Sequence, residues 1–218
     1  MIHLIGVEHK VQWRHPKAPA SSARQANWAH YSSILEETIA AFTPAVVAEE
    51  FNQESLDHRN GAKSLLLCKT KDFESRTGAS IEHVFAEPDL AEKNAKGYKC
   101  EETIKAILTA KMHTEPTGEQ IMAHMIAHQH PIRERIWLEK IWKHRSSEML
   151  FICGDIHLYT FCRLLRKEGI SCRIAKRKIG VDSSCLSAYK GLKYAIENDI
   201  CSDAHCFCLE SLQEMQVS

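Results

Sequence analysis

The chain has 218 residues, 28 acidic and 28 basic side chains, and 44% hydrophobic residues. This is ordinary for a single globular domain and lacks the strongly basic balance of a nucleic-acid reader, so no nucleic-acid partner is expected. No stretch approaches the roughly 20 apolar residues of a membrane span, and the opening MIHLIGVEHK has no basic region ahead of a long apolar run, so no membrane partner and a cytoplasmic location are expected.

Residues 3–7, HLIGV, read as a buried strand. Residues 20–42 carry Trp28, Tyr31, Ile34, Leu35, Thr38 and Ile39 at helical spacing, with Ser21 and Ser22 as caps. A second strand, 45–50, follows Pro44, and a helix is expected over 53–68. A third strand, 81–87, is ended by Pro88. The lysine-rich stretch from Leu90 to Cys100 reads as a loop or frayed helix end and as a candidate flap. Helices are expected over 101–112, 118–128 and 132–145, the last opening on Pro131 with Ile132, Ile136, Ile141 and Trp142 on one face. MLFICGD, 149–155, is a fourth strand, and LYTFCRLLRKEG a helix ended by Gly169. A short fifth strand, 171–176, carries the start of a basic run, Arg173 to Lys178, that suits a solvated sheet edge. Helices over 183–197 and 207–215 close the chain. Strands apolar on both faces and separated by helices predict an α/β fold. The expected form is one domain over 1–218 with a mostly parallel central sheet of about five strands flanked by helices.

In a parallel sheet, ligands bind beyond the carboxyl ends of the strands. Gly6-Val7-Glu8-His9 leaves the first strand and Gly154-Asp155-Ile156-His157 leaves the fourth. Each glycine is expected to permit a tight exit through backbone angles other residues resist, so that its histidine turns over the sheet end. The second strand ends in two acids. Alternation puts Val46, Ala48 and Glu50 on one side and Val47 and Glu49 on the other, with Glu50 preferred for the site and Glu49 the alternative. His9, Glu50 and His157 fit two chemistries: water activation by a His–Glu base, or a two-His, one-carboxylate site for a divalent metal. Arg133 can clamp a carboxylate or phosphate or stabilise an oxyanion; otherwise it pairs with Glu134 or Glu139 on a helix surface.

Other features carry less chemistry. His124 and His128 have metal-ligand spacing, and His130 follows, but the H-E-x-x-H pattern is absent. Glu87 is a strand-end acid that either lines the cleft or belongs to the turn made with Pro88 and Asp89. The nine cysteines include no Cys-x-x-Cys pair and fit a reducing compartment; His205, Cys206 and Cys208 form the one local cluster that could grip a metal. No G-x-x-x-x-G-K, G-x-G-x-x-G or G-x-S-x-G pattern occurs, which argues against a phosphate loop, a dinucleotide turn and an ordinary serine hydrolase.

Four pieces in chain order resemble the superfamily of TraB and Tiki proteins, with erythromycin esterases and ChaN as more distant relatives. They are GVEH (Gly6 to His9), VVAEEF ending at Glu50 and Phe51, RERIWLEKI with Arg133, Glu134 and Trp137, and FICGDIHLYTFCRLLRKEG with His157. The resemblance implies an α/β fold with these groups around one cleft. It implies catalytic or metal-binding roles for His9 and His157, the acid role for Glu50, and an anionic-partner role for Arg133 with Glu134 beside it. The expected function is a hydrolase-like enzyme acting on a small polar or anionic substrate. The alternative is a non-catalytic protein that binds a small ligand or a metal in the same cleft.

Overall fold

A computed structural model of the chain describes residues 1–14, 22–58, 62–179, 186–198 and 200. They belong to two compact units, Met1–Asp89 with Ile136–Val181, and Leu90–Arg135 with Asp182–Ser218. The strands in chain order are β1 (Ile2–Val7), β2 (Trp13–Arg14), β3 (Val46–Glu49), β4 (Lys63–Ser64), β5 (Glu82–Phe85), β6 (Met149–Gly154) and β7 (Cys172–Ile179). The helices are α1 (Ser22–Phe42), α2 (Gln53–Asp57), α3 (Leu65–Thr77), α4 (Leu90–Ala95), α5 (Glu101–Met112), α6 (Gly118–His124), α7 (His130–Ile141), α8 (Leu158–Lys167) and α9 (Leu186–Glu197).

The first unit is built on a five-stranded sheet of order β5-β3-β6-β1-β7, every pair parallel. The fold is therefore α/β with a central parallel sheet flanked by helices, as the apolar runs predict. Alternation along each strand sorts the core into two layers. Ile2, Leu4, Val46, Ala48, Met149 and Phe151 pack with Trp137, Leu138 and Ile141 of α7 and with Phe161 and Leu165 of α8. Ile5, Val7, Val47, Leu150 and Ile152 pack on the opposite side with Trp28, Tyr31, Leu35 and Ile39 of α1 and Leu66 of α3.

In the second unit α5 and α6 pack around Ile104, Leu108, Ile121 and Met125, and α9 lies along α6. Gly191 of α9 lies against α6, where a Cβ would meet Met122 at 2.5 Å. Among the described residues, no helix is long and apolar enough to cross a membrane.

Three local expectations change. The helix expected over 53–68 is broken: α2 ends at Asp57, β4 intervenes, and α3 starts where the Ser64 hydroxyl accepts the Leu67 N–H at 3.1 Å. The Leu90 to Cys100 stretch is helical over α4, and Gly97 (φ 76°) turns the chain after it. Strand β7 runs on to Ile179 with two register shifts: Leu4 pairs with Ile174 but Ile5 with Lys176, and Val7 with Ile179, and Lys178 takes a left-handed φ of 56°. The expected cap Ser21, the cluster of His205, Cys206 and Cys208, and the helix over 207–215 lie outside the described residues.

Candidate active site at the ends of three adjacent strands

Strand β6 lies between β3 and β1, so the residues leaving these three strands emerge side by side. His9 stands on a single 3₁₀ turn, His9–Val11, whose geometry is fixed from several sides. The Glu8 carboxylate caps the turn by accepting the Lys10 N–H at 2.7 Å, and the Glu8 N–H donates to the Ile179 carbonyl at 2.9 Å. The Leu65 N–H donates to the Gln12 carbonyl at 2.9 Å, and β2 pairs antiparallel with β4 just beyond. Glu50 continues the β3 ladder one step, its N–H donating to the Ile152 carbonyl at 2.8 Å. His157 ends the turn that leads from β6 into α8.

These elements bring the three expected residues together. Glu50 Oε1 lies 3.5 Å from His9 Nε2 and 3.7 Å from His157 Nε2. Its other oxygen, Oε2, accepts the Gly154 N–H at 2.7 Å. Glu50 and His157 are buried at 2% and 1% exposure, whereas the His9 side chain is 48% exposed. The site thus has one imidazole at the solvent and one in the core around a single buried carboxylate.

The two glycines serve a purpose different from the one expected. Gly154 has φ −57° and ψ 137°, angles any residue adopts, and Gly6 is not among the residues at positive φ. What each position requires is the absence of a side chain. A Cβ on Gly154 would lie 2.8 Å from His9 Nε2 and 3.3 Å from Glu50 Oε2. A Cβ on Gly6 would lie 2.3 Å from both Asp155 Oδ1 and Leu158 Cδ1. Because β1 and β6 are paired neighbours, each glycine clears the space into which the other strand's exit segment turns.

Glu50, rather than Glu49, faces the imidazoles. Glu49 points to the α1 side, where the Ser64 hydroxyl donates to its Oε1 at 2.5 Å and His83 Nε2 lies 2.8 Å from the same oxygen. It bridges β3 to β4 and β5. Burial, and secondarily the charge of Glu49, push the Tyr31 phenol well above its ordinary range.

Glu87 is buried; it accepts the Trp137 indole N–H at 3.1 Å through Oε2 and the Lys140 ammonium at 3.3 Å through its carbonyl. Trp137 stands edge-on to the His157 ring, centroids 4.9 Å apart. Glu87 therefore acts behind the indole that packs on His157. Arg133 and Glu134 lie on the part of α7 that belongs to the second unit, Glu134 buried and Arg133 half-buried.

In the same unit the His124 and His128 rings lie 4.8 Å apart on the π-helical continuation of α6. Burial, then the His128 and Lys111 charges, lower the His124 pKa from its usual value. Among the described residues, no group of three or more His, Cys, Asp or Glu side chains is placed to hold a metal ion.

Gln12 is a site residue that sequence reasoning missed; the only signal was its spacing three residues after His9. It is fully buried, and its Oε1 lies 3.1 Å from His9 Nδ1. A carbonyl oxygen only accepts, so with Oε1 toward the ring this contact assigns the proton to Nδ1 and the lone pair to Nε2. Gln12→Ala is expected to release the ring and weaken turnover about tenfold. Gln12→Glu, which still accepts, is expected to stay closer to the parent. Nitrogen NMR of the His9 ring checks the assignment directly, since a proton found on Nε2 would reverse it. Compared with protein-family models, curated proteins and solved structures, the chain finds no match.

Proposed function

We propose that the chain is a hydrolase-like enzyme of TraB/Tiki-like type, in which His9 activates water with the help of Glu50 and His157. One observation carries this reading: two imidazole nitrogens lie 3.5 and 3.7 Å from the same buried carboxylate oxygen at the carboxyl ends of neighbouring parallel strands. His9 is the solvent-facing group, so it takes the proton from water at Nε2. Glu50, held by the Gly154 N–H and shielded from solvent, stabilises the imidazolium that results. His157, packed against Trp137, is fixed in orientation and faces the Glu50 carboxylate from the core side. The resemblance adds Arg133 for an anionic part of a small polar substrate, with Glu134 beside it; that part of the reading rests on the sequence.

A divalent metal is also within the family's repertoire. Among the described residues no group of three or more His, Cys, Asp or Glu side chains is placed to hold a metal ion, and no step here is routed through one. The test is a panel of small chromogenic carboxylic and phosphate esters, assayed with and without a chelator. Turnover that survives chelation and falls at least about 100-fold in His9→Ala, with the circular dichroism spectrum kept, is the expected result. Equal turnover by His9→Ala, or none on any ester, would end the water-activation reading. Ligand binding without turnover would favour the binding alternative.

A further inference from the structure

We propose that Cys162 and Cys172 form a redox-active dithiol, which a small hydroperoxide converts into an intramolecular disulfide. Cys162 lies on α8, Cys172 opens β7, and the connecting turn is set by Gly169 at φ 75° and by the Ile170 N–H donating to the Leu165 carbonyl at 2.9 Å. This turn folds the chain back so that the two sulfurs lie 3.3 Å apart, with Cys172 Sγ also 3.4 Å from the Cys162 carbonyl. A disulfide needs about 2.0 Å, so the sulfurs must close by only about 1.3 Å, a displacement that small side-chain rotations can supply.

The two sulfurs share one hydrogen bond in which either can donate, and Arg166, one turn along α8 from Cys162, adds positive charge beside the pair; the shared bond, then that charge, lower the Cys162 thiol from its ordinary range despite its burial. Cys162 is taken as the nucleophile and Cys172 as the resolving thiol; exchanging the roles gives the same disulfide. Both sit at the edge of the core, 3% and 8% exposed, where α8 packs on the sheet's outer strand β7. A hydroperoxide is small enough to enter by a local opening of this edge. Cys68 differs, since burial raises its thiol pKa.

In the first step the Cys162 thiolate attacks the hydroperoxide. An S–O bond forms, the O–O bond breaks, and the alkoxide leaves as the alcohol with the proton Cys162 released. In the second step Cys172 attacks the sulfenic sulfur. The S–S bond forms, the S–O bond breaks, and hydroxide leaves as water with the Cys172 proton. The two thiols lose two electrons and the peroxide gains them.

The test is a peptide map of the full native chain, treated with hydrogen peroxide and alkylated. Trypsin cuts after Arg163, Arg166 and Lys167, so the Cys162 and Cys172 peptides separate unless they are cross-linked. The linked pair is expected, reversible by dithiothreitol, forming at least about tenfold faster than oxidation at any other cysteine because the sulfurs are already in contact. Cys172→Ser is expected to abolish the link and leave Cys162 trapped by a sulfenic-acid reagent. The wild-type map, with the linked peptide 146–163 fragmented to tell Cys162 from Cys153, decides the matter even if that variant fails to fold. Free Cys162 and Cys172 after peroxide treatment, or prior cross-linking of other cysteines, would overturn the proposal.

Discussion

Glu50→Gln is expected to lower turnover by about two to three orders of magnitude while leaving the melting temperature unchanged or higher. The two effects have opposite signs for one reason. Glu50 is a carboxylate at 2% exposure whose Oε1 has two imidazoles at 3.5 and 3.7 Å, longer than hydrogen bonds to a charged group. Holding such a charge away from water costs stability, and a neutral amide of the same shape relieves that cost. Gln at this position still accepts the Gly154 N–H, and its amide can donate to an imidazole. What disappears is the negative charge that stabilises an imidazolium at His9. Glu50→Ala is the contrasting variant: it removes the acceptor of a buried N–H and is expected to cost about 1–3 kcal/mol, besides abolishing activity. Thermal melts and kcat on the same three proteins check the pattern. Full activity in Glu50→Gln would remove the carboxylate from the mechanism.

Much of the sheet was legible because its code is local. The strands that became β1, β3, β5, β6 and β7 announce themselves as short apolar runs, and alternation alone placed Glu50 with Ala48 and Glu49 with Val47. The strand order was not legible. That β6 lies between β3 and β1, and so makes His9, Glu50 and His157 neighbours, is a tertiary fact that no window of sequence contains. The role of the glycines was misread for the same reason: the atoms that would collide with a side chain at Gly6 belong to Asp155 and Leu158. The break after α2 was missed because Leu56, Leu65 and Leu66 continue a helical-looking apolar pattern. Two caps overrule it, Asn52 accepting the Ser55 N–H at 2.7 Å and Ser64 accepting the Leu67 N–H at 3.1 Å. Gln12 escaped because a polar residue in a turn looks solvated until β4 and α3 bury it.

Gly6→Ala and Gly154→Ala, the same added methyl in two matching motifs, are expected to fail in different ways. At Gly6 the new Cβ meets Asp155 Oδ1 and Leu158 Cδ1 at 2.3 Å and Leu158 Cγ at 2.9 Å. Neither neighbour can yield easily. Leu158 is fully buried in the α7–α8 layer, and Asp155 accepts the Lys178 N–H at 2.7 Å with Arg177 Nη2 at 3.5 Å from its other oxygen. Overpacking of this kind costs typically about 1–3 kcal/mol, and two pinned neighbours place Gly6→Ala at or above the upper end. At Gly154 the closest atoms are the tip of His9, a side chain 48% exposed that can swing outward. That relief is cheap for folding and costly for the site, because it carries Nε2 away from Glu50. Gly154→Ala is therefore expected to lose less than about 1 kcal/mol of stability but at least about tenfold in turnover. Urea denaturation midpoints and kcat for the two variants separate these effects. If Gly154→Ala unfolds at lower urea than Gly6→Ala, or keeps full turnover, His9 is not held against Glu50 by the bare backbone of β6.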